Sequence, residues 1–92
     1  MGRKQDRKKD YFQAIRDNNR QLIEQMLDEG LSMKTMDENG CSGLDIAALY
    51  GNMELVKYFI ERGAKIDDAA YHCATMKGHK DIVEFFLKKE LM

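Results

Sequence analysis

The stretch Asp37-Glu38-Asn39-Gly40-Cys41-Ser42-Gly43-Leu44-Asp45-Ile46-Ala47-Ala48-Leu49-Tyr50-Gly51-Asn52 decides the fold. It opens on Asn39-Gly40, a tight-turn pair, because both residues tolerate positive φ. Ser42 is a good helix N-cap, and Asp45 three residues later can return the bond as the acid of a capping box. A short helix follows through Ile46, Ala47, Ala48, Leu49 and Tyr50, with Ala47 and Ala48 small enough to admit a close neighbour. Gly51 ends it, since a left-handed C′ position costs glycine nothing.

Moving outward, the same plan recurs. Ala14-Ile15-Arg16-Asp17-Asn18-Asn19 and Ala47-Ala48-Leu49-Tyr50-Gly51-Asn52 lie 33 positions apart, as do Gly30 and Gly63. Ala74-Thr75-Met76-Lys77-Gly78-His79 follows 27 after the second copy. Self-similarity at such a period marks a stacked repeat architecture. Asn18 stands where the second copy has Gly51, and asparagine is the next most tolerant residue of a left-handed position.

A second helix is predicted in each copy. In the central one, Leu55, Val56, Phe59 and Ile60 draw one apolar stripe along Met53–Arg62. The stripe of the first copy is Leu22, Ile23, Met26 and Leu27, and that of the third is Ile82, Val83, Phe86 and Leu87. No single helix pair can bury its stripe alone, so each must lean on its neighbour.

Composition narrows the function classes. Ninety-two residues with 43% hydrophobic and 34% charged content make one ordinary globular domain. No apolar run approaches the roughly 18 residues needed to cross a bilayer. The polar N-terminus shows no secretory leader, and Asp6 stands where a myristoylation motif wants Ser or Thr. Cys41 and Cys73 are expected as reduced thiols of a cytosolic or nuclear protein. The first ten residues set five cations against two carboxylates, a balance of +3 that leaves −4 on the other 82. Residues 1–8 therefore read as a basic N-terminal arm, or as a solvated leader and first turn.

With its three copies, the chain resembles the ankyrin repeat family. Asp37, Gly40, Ser42, Gly43, Leu44, Asp45, Ala47, Ala48, Gly51, Asn52, Glu54, Leu55, Val56, Phe59, Ile60, Gly63 and Ala64 fall in the places of that family's 33-residue unit. Ala69-Ala70-Tyr71-His72-Cys73-Ala74 takes the place of the family's T-P-L-H-x-A, and Lys9-Asp10-Tyr11-Phe12-Gln13-Ala14 does so in the first copy. The motif's proline is missing throughout, and Asp45 replaces its histidine. The resemblance implies an all-α helix-turn-helix stack over residues 9–92, with repeats at about 9–36, 37–67 and 68–90. One β-turn finger is expected, at about Lys34 to Cys41. Six residues fewer precede the third copy, so a short bend through Asp67-Asp68 should replace its finger.

The resemblance also implies a non-catalytic scaffold that binds a protein through the finger and the exposed face of the first helices. By position this selects Met36, Glu38, Asn39 and Cys41 on the finger. On successive first helices it selects Arg16 and Asp17, Leu49 and Tyr50, then Met76 and Lys77. Leu49 and Met76 either face a partner or pack between neighbouring first helices. Tyr58 and Phe85, off the main stripes, either cover the groove between repeats or face a partner.

No catalytic residue is expected, because phosphate loop, nucleophile elbow and H-E-x-x-H are all missing. His72, Cys73, His79, Asp67 and Asp68 are zinc-ligand types, but their spacing matches no metal motif and the repeat register already accounts for them. Neither metal nor cofactor is expected. Nucleic acid and membrane are not the expected partners. The alternative is a small structural subunit of a large assembly, one whose basic arm could touch RNA. The apolar second helix of the last copy is expected to be covered by a parent chain or another subunit, since solenoids need a polar outer face on their last repeat.

Overall fold

The computed structural model describes residues 4–91, with side chains from Arg7 onward. Six helices follow in order: α1 (Lys4–Arg16), α2 (Arg20–Asp28), α3 (Gly43–Leu49), α4 (Met53–Glu61), α5 (Asp68–Met76) and α6 (Lys80–Leu91). Among the described residues there is no strand. They pair as α1–α2, α3–α4 and α5–α6, and the first helices stack as α1, α3, α5. The body measures 44 × 23 × 19 Å, the elongated form of a short solenoid.

Local chemistry sets the helix ends. Ser42 and Asp45 form the expected capping box: Ser42 N–H donates to Asp45 Oδ2 at 3.0 Å and Asp45 N–H to Ser42 Oγ at 3.4 Å. Asn19 and Asn52 cap α2 and α4, each accepting a backbone N–H at 3.2 Å. The helix-closing turns use left-handed residues, Asn18 at φ 58° and Gly51 at φ 71°.

α3 is the centre of the core. Gly43 to Ala48 are all buried, because α1 lies on one side, α5 on the other and α4 behind. Gly43 sits where a Cβ would come within 2.7 Å of the Tyr11 hydroxyl, so the small residue lets α1 approach. Tyr11 packs edge-on against Phe12 and Phe59, with ring centroids 5.2 and 6.4 Å away. The stripe residues Ile23, Leu55, Phe59, Ile82 and Phe86 are buried. The third stripe departs from expectation at its outer edge: Val83 is only half-buried, and Leu87 is 50% exposed. Their counterparts Val56 and Ile60 are better covered, because α4 has a further helix pair beside it and α6 has none.

The finger is one turn deep. Met36 and Ser42 form an antiparallel bridge, and Gly40 N–H donates to Asp37 O at 3.0 Å across the turn. Asp37 Oδ1 accepts from Asn39 N–H and Cys41 N–H, both at 2.9 Å, which fixes the loop from inside. The second linker has no counterpart. The bend expected through Asp67-Asp68 is a helix start, with Asp67 as N-cap accepting Ala70 N–H at 3.0 Å and Asp68 as the first residue of α5. From Lys4 onward the stretch expected as an arm is the opening of α1. Residues 1–3 of that stretch lie outside the described residues.

Candidate functional site

The candidate residues lie on the finger and at the ends of the first helices. Arg16, Leu49 and Met76 are the last residues of α1, α3 and α5, so the repeat register puts them in one row. Asp17, Tyr50 and Lys77 follow them. Tyr50 is 53% and Met76 58% exposed, whereas Leu49 is half-buried and packs on the core. Of the two options for these residues, Met76 stands clear and Leu49 packs. Met36, on the finger, is 51% exposed. Arg16, Asp17, Glu38, Asn39 and Lys77 are exposed. Cys41 is half-buried, turned towards Cys73.

These residues form two groups rather than one. Arg16 shares a groove of about 460 Å³ with Asp37, Glu38 and Asn39; Lys8, Lys9 and Gln13 of α1 complete the wall on its own side over a floor at Phe12. Tyr50 and Met76, exposed at the same ends of α3 and α5, do not line that groove. Lys8, Lys9 and Gln13 were not picked out from the sequence as contact residues. Their signal was there: Lys9, Gln13 and Arg16 lie at i, i+4 and i+7, one face of a helix. It was hidden because Lys8 read as part of an arm and Lys9 as a place in the repeat motif.

Tyr58 is buried, its ring flanked by the guanidinium groups of Arg20 at 4.8 Å and Arg62 at 5.8 Å. Arg62 also donates to the Tyr58 hydroxyl at 3.2 Å and pairs with Asp28 of the first repeat at 3.2 Å. This residue packs. Phe85 is half-buried, with Lys57 and Lys89 each 5.7 Å from its ring.

Cys41 and Cys73 lie side by side between the second and third repeats. Burial pushes the Cys73 thiol up to about 11, and raises Cys41 as well, with the Asp37 and Asp45 carboxylates adding to the rise. Thiols shifted this way are poor nucleophiles. Asp45 is 2% exposed, and its Oδ1 has no hydrogen-bond partner. Burial raises its pKa, the Ser42 N–H opposes, and the nearby Asp67 carboxylate adds to the rise. His79 Nε2 lies 3.1 Å from Leu49 O and must donate to it, which ties the third repeat to the second. Among the described residues no three His, Cys, Asp or Glu side chains converge as a metal site, and no helix is long and apolar enough to cross a membrane.

Known proteins match this arrangement. The human Notch-regulated ankyrin repeat-containing protein is 31% identical over 89 residues, covering 86% of this chain and 78% of the relative. The mouse ankyrin repeat and SAM domain-containing protein 6 is 30% identical over 91 residues, covering 90% of this chain and 10% of the relative. The sheep ankyrin repeat, SAM and basic leucine zipper domain-containing protein 1 is 35% identical over 60 residues, 65% of this chain and 13% of that protein. The chain thus spans only a small part of the two SAM-containing relatives. A family model described as ankyrin repeats, in three copies, matches residues 11–91. That span takes in the second half of α1, the five later helices and the finger, and the chain belongs to the ankyrin repeat family.

Proposed function

We propose that this chain is a non-catalytic scaffold module that holds a partner protein across the finger and the exposed ends of its first helices. Ankyrin repeats generally serve as protein–protein interaction modules, and the family is typically non-catalytic. The observation that carries the reading is the exposure of Met36, Tyr50 and Met76, three of the five large apolar side chains exposed among the described residues; the other two, Leu87 and Leu91, lie on α6. Tyrosine and methionine are adaptable contact residues, and exposed apolar surface marks contact sites. Arg16, Asp17, Glu38, Asn39 and Lys77 would supply the polar rim, with Leu49 and Cys41 supporting from behind.

The test is affinity purification with crosslinking, comparing wild type with Tyr50→Ala/Met76→Ala. Both side chains are more than half exposed, so helicity should be unchanged. Loss of a specific partner is the expected result. Crosslinks confined to α2, α4 and α6 would refute the assigned surface.

A further inference from the structure

The linker from α2 to α3 is eight residues longer than that from α4 to α5, 14 against 6, and the difference leaves a surface that the groove over α1 does not use. Between the first and second repeats the chain projects its finger. Between the second and third it runs directly from Gly63 to the N-cap Asp67. One side of the finger faces α1 across the groove. The other side opens on a cleft of about 350 Å³, bounded beyond by the segment after α4.

The floor of this cleft is apolar. Met33 and Met36 come from the finger side, and Leu44 and Phe59 show their edges from the core. Its rim is cationic, with Lys34 on one side and Arg62 and Lys65 on the other. Arg62 is occupied by Asp28 and the Tyr58 hydroxyl. Lys34 and Lys65 are exposed. The one carboxylate of the rim, Asp67, is engaged as the cap of α5. A positive rim is notable on a body whose first ten residues carry +3 and whose remainder carries −4.

We infer that the cleft between the finger and the end of α4 is a second docking site, and that its occupant is an acidic polypeptide segment with one apolar side chain. The volume lies at the small end of ligand pockets, with room for an apolar side chain and the peptide backbone on either side of it. The methionines can shift to fit it. Carboxylates on either side of that group would meet Lys34 and Lys65, as acidic motifs are read by cationic clusters elsewhere. This inference shares Met36 with the proposed partner surface but not Tyr50 or Met76, so the Tyr50→Ala/Met76→Ala test and the test below can fail separately.

Three fluorescein-labelled hexapeptides test it by fluorescence anisotropy: Glu-Glu-Asp-Leu-Glu-Glu, the same peptide with serine for leucine, and Lys-Lys-Arg-Leu-Lys-Lys. The first should bind at least about tenfold tighter than the other two, and more weakly as salt rises. In the ¹⁵N–¹H spectrum its shifts should fall at Met33, Met36, Gly63 and Lys65. Lys34→Glu/Lys65→Glu should lose at least about tenfold in affinity with its melting temperature unchanged. Lys8→Glu/Lys9→Glu, in the groove, should bind as wild type does. No binding by the first peptide, equal binding of the serine peptide, shifts confined to the groove, or undiminished binding by Lys34→Glu/Lys65→Glu would each overturn the proposal.

Discussion

One added carbon at Gly51 would do two separate things. It would put a side chain on a residue at φ 71°, and it would drive a Cβ to 2.5 Å from the His79 ring. Gly78 is its counterpart one repeat later, at φ 73°, with open space around the same position. The pair therefore separates backbone strain from packing. Gly78→Ala is expected to cost about 1 kcal/mol, the left-handed penalty alone. Gly51→Ala should cost about 2 kcal/mol or more, because the His79 ring must move and its bond to Leu49 O is put at risk. In thermal unfolding, each kcal/mol lowers the midpoint of a domain this size by about 4–8 °C. Equal losses for the two variants would show that the His79 contact contributes nothing. Sequence alone identified Gly51 as a helix stop. It could not show the second constraint, because the histidine that imposes it is 28 residues away and meets it only in the stack.

At the start of α3 the element as a whole depends on one buried carboxyl. Asp45 closes the capping box through Oδ2 and leaves Oδ1 unpartnered beside Asp67. Its folded pKa lies above the ordinary value of 3.8, first through burial. The folded chain thus holds the proton more tightly than the unfolded chain. The stability this adds is complete below the ordinary value and is lost as pH rises through the raised one. Asp45→Asn removes that dependence. Its amide oxygen can still accept from Ser42 N–H, and its amide nitrogen can donate towards Asp67. The variant is expected to be more stable than wild type at neutral pH by about 1 kcal/mol, with the gap shrinking on acidification. Melting curves taken across that range check it, and a gap independent of pH would contradict it. Caps of this kind were legible from the sequence: Ser42, Asp45, the Asn39-Gly40 turn and the left-handed Asn18 all follow from local rules. The start of α1 was not. Lys4 to Lys9 contain no breaker and are mostly good helix formers, so their charge alone does not decide between arm and helix. What decides is non-local: Tyr11, Phe12 and Ile15 anchor α1 in the core, and Arg7 reaches Glu29 at the end of α2, 3.4 Å away.

Stacking order governs what remains. The period and the stripes disclosed the repeat architecture, since each follows from sequence spacing. Register put Tyr50 and Met76 at the ends of the first helices, and both are exposed there. The groove wall and the cleft beside the finger were not foreseen, because both depend on how one linker sits against another repeat. The same dependence makes identical positions unequal. Ile60 and Leu87 occupy equivalent places on α4 and α6, yet Ile60 is half-buried while Leu87 is 50% exposed at the end of the stack. In a nearest-neighbour solenoid the central repeat is held from two sides and the last from one. Ile60→Lys is therefore expected to cost on the order of 2 kcal/mol, and Leu87→Lys to fall within about 0.5 kcal/mol of wild type. Amide hydrogen exchange should show the matching gradient, with the α3 amides protected longest and those of α6 opening first. Leu87→Lys as costly as Ile60→Lys would mean that the end face is covered in solution. In that case the melting temperature of wild type, but not of Leu87→Lys, should rise with protein concentration.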